Sequence, residues 1–218
     1  LYSRVDLTLG WDFQPVIDGL KIPVYACPSD AKADEMRSFT DARPTLSPTT
    51  YGFNMGRWFV FNPQTRQGGD GMFYPNSFLK MGSVTDGTSS TLLVAEVKAW
   101  TPYRRNSGPS STAMPNSQAE AEAIVASGSD FKDTGHTEWP DGRVHHTGFT
   151  AAMPPNSQVV SNNAGTTYSQ TDYNSWQEGK NGATGAPSYA IITSRSFHTN
   201  VVNAARVSFG KHKETLDA

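Results

Sequence analysis

The apolar residues of this chain come in short, β-prone runs separated by turn formers. That pattern limits it to a fold of short strands and ordered loops. The strongest run covers residues 49–61 (TTYGFNMGRWFVF), where Gly52 and Gly56 mark bulges or bends. Residues 20–27 (LKIPVYAC) alternate and predict a strand, which Pro23 restricts to an edge or a late start. Residues 90–100 (STLLVAEVKAW) follow the turn signal Asp86-Gly87 and carry apolar residues at both parities. They predict a buried strand, with a helix as the competing reading. Residues 71–74, 144–149, 188–195 and 201–209 are further strand candidates. Residues 117–127 predict the one convincing helix, because Ser117 and Glu120 stand at capping-box spacing and Gly128 stops it. Its amphipathicity is weak, which predicts a surface position. Stretches 31–48, 62–70, 101–116 and 154–187 read as loops, the last three facing outwards. The sum is an α+β domain, predominantly antiparallel β, spanning 1–218 with long ordered loop insertions.

Hydrophobic residues make up 36% and charged residues 17%, so much of the chain is Ser, Thr, Asn, Gln, Gly and Pro. The 11% aromatic content supplies large buried surfaces at few positions. A net charge of −2, with Arg104-Arg105 and Lys211 to Lys213 as the only basic clusters, argues against nucleic-acid binding. The single cysteine, Cys27, excludes an internal disulfide and a zinc-thiolate cage. Apolar segments such as 92–95 and 190–192 fall far short of the roughly 20 residues of a membrane span. The chain begins at Leu1 rather than Met, from which we expect a preceding segment, removed or omitted.

Residues 136–146 hold three histidines and two carboxylates. His136, Glu138 and His146 are the candidate transition-metal ligands there. The plainer reading is a hairpin around Asp141-Gly142 with polar packing. On a strand, His145 and His146 would point to opposite faces. Asp70 and Asp86 offer hard oxygen ligands for a structural calcium ion, against the plainer reading of side chains capping their own turns. No Gly-x-Ser-x-Gly elbow and no phosphate-binding glycine motif is present, and Cys27 lacks a helix start that would activate it. Trp58, Phe59, Phe61, Phe73, Tyr74 and Phe78 read as core before they read as a contact surface.

Four segments together resemble one family. They are Cys27-Pro28-Ser29-Asp30, Tyr51-Gly52 within its strand, the signature Thr85-Asp86-Gly87-Thr88-Ser89 with Thr91 and Glu96, and a C-terminal segment containing His198 and Asn203. The chain resembles the prepilin-like domain of unknown function abundant in planctomycetes and related bacteria. Members of that family resemble type IV pilins and type II secretion pseudopilins. The resemblance implies a pilin-like globular head whose hydrophobic N-terminal helix is absent from this chain. It implies a structural subunit of an extracellular pilus-like or pseudopilus-like filament, partnered by copies of itself or other pilin-like subunits. Membrane contact would come only through the missing helix, and the location would be extracellular, cell-surface or periplasmic. No catalysis and no cofactor are expected. One departure stands out: the family places Asp-Gly ten and eleven residues after its C-terminal histidine, where this chain has Ser208-Phe209.

Two other readings remain open. A carbohydrate- or solute-binding module would show a concave patch with Trp58, Trp139 or Trp176 beside polar groups. A metal-dependent hydrolase would bring His136, Glu138 and His146 together on an open cleft.

Overall fold

Short apolar runs give short strands. The computed structural model describes residues 2–85, 87, 91–179 and 185–196. The β-prone run at 49–61 folds into β1 (Tyr51–Asn54) and β2 (Phe59–Asn62), and Gly56 at φ 102° bends the chain between them. β2 turns back through β3 (Gln67–Gly68). Next come β4 (Val94–Glu96), β5 (Thr101–Arg105), helix α1 (Gln118–Ala126) and β6 (Asp130–Gly135). A single helical turn, α2 (Val144–Thr147), leads directly into β7 (Gly148–Phe149). β8 (Ser161–Asn163) and β9 (Thr166–Tyr168) form a hairpin, followed by β10 (Asp172–Asn174) and β11 (Ser188–Ile191).

The strands form a six-stranded sheet, β3-β2-β11-β10-β5-β6, and a three-stranded sheet, β4-β1-β7, beside the β8-β9 hairpin. Six of the eight pairings are antiparallel, and β1–β7 and β5–β10 are parallel. The expected α+β, predominantly β class is therefore the one observed. One core cluster joins the sheets through Val60, Phe61, Ala95, Val144, Phe149 and Ala190. A second gathers Trp58, Tyr173 and Ile191 under α1. Ala190 and Ile191 are neighbours on β11 and serve different clusters, as the two-residue period of a strand requires.

Helix α1 forms where the capping pattern predicts. Ser117 Oγ accepts the Glu120 N–H at 3.3 Å, and Glu120 Oε2 accepts the Asn116 N–H at 2.9 Å. The helix sits deeper than expected, burying Ala121, Ile124 and Val125 against the second cluster. Each larger side chain contributes about 1.5–3 kcal/mol there.

Several expected elements differ. Residues 20–27 form no strand: Pro23 presets a turn, and Pro23–Tyr25 is a 3-10 turn with Val24 74% exposed. Among the described residues of 90–100 only Val94–Glu96 is strand, and Leu93 and Val94 are exposed because β4 lies at a sheet edge. Residues 71–74 bend instead of extending. Stretch 101–116, expected as an outer loop, begins with β5, an inner strand whose Thr101 and Tyr103 are buried. Stretch 154–187 contains β8, β9 and the inner strand β10, because Asp172 and Asn174 bury their polar groups in hydrogen bonds. Of the aromatic cluster, Trp58 and Phe61 are core, but Phe78 is 91% exposed. The candidate strand at 201–209 lies outside the described residues. Among the described residues no helix is long and apolar enough to cross a membrane.

Candidate functional site

The segment between β6 and β7 carries the densest chemistry among the described residues. After Gly135 the backbone turns through His136 at φ 58°, a left-handed conformation that a histidine tolerates better than most residues. His136 N–H donates to the His145 carbonyl at 2.9 Å, and its Nδ1–H donates to the His146 carbonyl at 3.0 Å. Asp141 Oδ1 accepts the Arg143 N–H at 3.0 Å and so launches α2. Residues 144–147 are therefore helical, where a strand was expected. His145 and His146 consequently share one buried neighbourhood instead of facing opposite ways.

This turn assembles a buried network of charges. Glu138 pairs with Arg37, and its Oε1 lies 3.3 Å from His146 Nε2. Asp141 is gripped by Arg143 through Nε at 2.9 and 2.8 Å and through Nη2, and it accepts Trp11 Nε1–H at 3.2 Å. Arg143 Nη1 and Arg105 Nη1 both donate to Gln177 Oε1, at 2.8 and 3.2 Å. His145 Nδ1–H donates to Asn174 Oδ1 at 2.8 Å, and its ring stacks on Tyr103 at 4.6 Å.

Burial decides most of the proton affinities. It drives the His145 and His146 rings well below the usual histidine range, and both are neutral. Burial also pushes the Glu138 carboxyl upward, against the pull of Arg37. For Asp141 burial acts upward too, but the Arg143 hydrogen bonds outweigh it and hold the carboxyl well below the usual carboxylate range. Glu178 is half-buried overall, yet its Oε2 is sealed from solvent without a hydrogen bond, and burial raises its carboxyl to about 7.

Of the candidate metal ligands, Glu138 and His146 do come together, and Asp141 joins them with ligand atoms within 4.8 Å. His136 does not: its Nε2 faces Asp172 Oδ2 at 3.9 Å. The donor set fits a cation poorly. Arg37 and Arg143 already neutralise both carboxylates, and a divalent ion would have to displace two guanidinium groups from a buried site. Asp70 is likewise engaged, by Arg57 N–H at 2.8 Å and by its Nε, and Asp86 lies outside the described residues.

The network forms one wall of a pocket of about 680 Å³, which is also lined by Trp11, Asp12, Arg43 and Lys132. Nothing in the sequence separated Arg37, Gln177 or Trp11 from their surroundings. Arg143 had one signal, its place two residues after Asp141. A second hollow, of about 400 Å³, is apolar and lies beside β4, lined by Val24, Tyr25, Tyr51, Phe53, Val94 and Trp139 with Thr49 and Thr147. Trp58 borders a third hollow with Arg57, Gln67 and Asp70, but at 5% exposure its ring is too covered to stack on a sugar.

A family model described as "Protein of unknown function (DUF1559)", with the short name SBP_bac_10, matches residues 1–208. The chain belongs to the DUF1559 family. No curated protein and no solved structure matches it. Of the positions that carry the sequence resemblance, Cys27, Tyr51, Gly52 and Glu96 meet in space around β1 and β4. Cys27 is buried, its N–H donates to Thr50 Oγ1 at 2.6 Å, and its Sγ lies 3.6 Å from Glu96 Oε1. Tyr51 and Gly52 on β1 stand opposite Glu96 and Ala95 on β4. Asp30 accepts the Ala99 and Lys32 N–H groups, both at 2.9 Å, while Pro28 and Ser29 are exposed. Thr91 Oγ1 donates to the Gly87 carbonyl at 3.2 Å, and Thr85 is exposed. Asp86, Thr88, Ser89, His198 and Asn203 lie outside the described residues.

Proposed function

We propose that this DUF1559 chain is the non-catalytic head of a pilin-like assembly subunit. On this reading it works outside the cytoplasm and binds copies of itself or related subunits through the apolar hollow beside β4. The observation that carries the reading is the hollow itself. Val24 is 74% exposed and Val94 40% exposed in a wall that also includes Tyr25, Tyr51, Phe53 and Trp139, with Leu93 exposed next to it. Clustered apolar exposure of this kind beside a sheet edge marks contact surface. Tyr51 belongs to that wall and stands opposite Glu96, which contacts Cys27, so residues that carry the resemblance adjoin the surface.

The test is the composition of filaments sheared from the cells that make the protein. The native chain is expected in that fraction, and Val24→Asp combined with Val94→Asp should remove it while the circular dichroism of the purified head stays native. Recovery of the native chain only as dispersed monomers, or equal recovery of the double variant in filaments, would overturn the proposal.

A further inference from the structure

We propose that the hollow between the start of β5 and the β8–β9 hairpin binds one pyranose ring of a carbohydrate. It shares no lining residue with the apolar hollow beside β4, so the proposal does not depend on the assembly reading.

The lining has the chemistry that a sugar requires. A pyranose presents a face of C–H groups and a rim of hydroxyls. The C–H face suits the electron-rich face of an aromatic ring, and the rim needs hydrogen-bond partners. Trp100 and Tyr168 supply the rings, beside the polar side chains of Lys98, Ser169 and Gln170. Lys98 Nζ, Tyr168 Oη, Ser169 Oγ and the Gln170 amide make no hydrogen bond or ion pair with the described residues, and Lys98 and Ser169 are exposed. Water alone solvates these groups, so sugar hydroxyls replace it without breaking a bond of the protein. The volume of about 250 Å³ lies below the roughly 300–1,000 Å³ of pockets for drug-sized ligands, which suits a single ring.

The aromatic rings, by contrast, are held in place. Tyr168 packs on Phe131 with ring centroids 4.8 Å apart. Trp100 Nε1–H donates to the Glu35 carbonyl at 3.1 Å, and Lys32 Nζ lies over the indole at 5.6 Å. Trp100 also has φ 59°, a left-handed conformation that is an outlier for so bulky a side chain. Its neighbours enforce it: Ala99 N–H donates to Asp30 Oδ2 at 2.9 Å, and Thr101 Oγ1–H donates to the Lys98 carbonyl at 2.6 Å. Backbone that the surroundings hold in a sparsely populated conformation gathers at ligand clamps. The hairpin wall is anchored as well, by Arg104 on the Asn162 carbonyl and by Ser161 Oγ on Thr171 Oγ1 at 2.8 Å. Rings fixed in advance lower the ordering cost of binding.

Titration of the purified chain with the methyl glycosides of glucose, galactose, mannose and N-acetylglucosamine, followed by amide NMR shifts, tests this. Saturable shifts centred on residues 98–102 and 167–170 are expected with at least one of the four, at a Kd of about 1–10 mM for a single ring. Trp100→Gly, which suits the left-handed backbone, should raise the Kd at least about tenfold. Gln170→Ala, which keeps both rings, should raise it about fivefold. Thr166→Ala, at an exposed position of the same hairpin outside the hollow, should leave it unchanged. No saturable shift with any of the four up to about 100 mM would overturn the proposal. So would saturable shifts centred elsewhere, native affinity in the Trp100→Gly or Gln170→Ala chain, or an equal loss in the Thr166→Ala chain.

Discussion

His145 and His146 are chain neighbours whose ring centroids lie 4.3 Å apart, both 1% exposed. Successive side chains of a strand could not meet in this way, and the single turn of α2 makes it possible. His145→Ala would remove the stack on Tyr103 and leave Asn174 Oδ1 without its donor. A loss of about 3 kcal/mol in unfolding free energy is expected, measured by urea denaturation with an unchanged m-value. A loss under about 1 kcal/mol would show that the pair is not part of the stabilising core.

His136 predicts an acid-sensitive stability. Burial is the main cause of its depressed proton affinity, opposed by the bond to the His146 carbonyl and reinforced by Arg195. The folded ring protonates at about 4, whereas the unfolded reference is 6.5. Its contribution is fully present above 6.5 and is lost as the pH falls through about 4, a change of about 3 kcal/mol. Asp172 acts in the opposite sense: burial raises it to about 6, so its contribution is present below 3.8 and lost as the pH rises through about 6. His136→Asn keeps the left-handed backbone accessible and should flatten the acid limb of the stability profile, as read from urea melts at pH 4.5, 5.5, 6.5 and 7.5.

Two facing glycines predict unequal costs. A Cβ at Gly52 would meet the Gly148 carbonyl oxygen at 2.8 Å, which is backbone held by the β1–β7 pairing. A Cβ at Gly148 would meet Met55 Sδ at 2.7 Å and Val144 Cγ2 at 2.9 Å, and the methionine end can move. Gly52→Ala should therefore cost about 3 kcal/mol and Gly148→Ala about 1 kcal/mol, by thermal melting of both variants. Equal costs would mean that β7 shifts away from β1 without penalty.

Asp30 ties the Cys27-Pro28 turn to the turn between β4 and β5 through the Ala99 N–H. Asp30→Ala should cost about 2 kcal/mol and speed hydrogen exchange at the Ala99 amide well beyond the change in global stability. Slow exchange there in the variant would mean another acceptor replaces the carboxylate.

Where sequence signals are local, structure followed them. Ser117, Glu120 and Gly128 delimit α1 because capping chemistry acts within a few residues. The strands of 51–62 were legible from aromatic and β-branched content. Pro23 reads in sequence as marking an edge strand or a late start, and it sits instead at the head of a 3-10 turn. β5 and β10 read as loops in sequence because they hold polar or charged residues whose partners come from distant segments: Arg195 for Asp172, His145 for Asn174. The metal reading found Glu138 and His146 but missed the arginines, since Arg37 reaches Glu138 from a loop 101 residues away.

The β2–β11 pairing sets Phe61 opposite Ser188, and β5 lies beside β10 with Tyr103 opposite Asp172. A chain emerging from the ribosome therefore cannot close its larger sheet until residues near 191 are free. Loop-closure entropy must be overcome before such distant pairings stabilise anything, which places refolding in the slow class of about milliseconds to seconds. Until then Trp58 and Phe61 stay uncovered, and transiently exposed apolar surface of this kind favours aggregation.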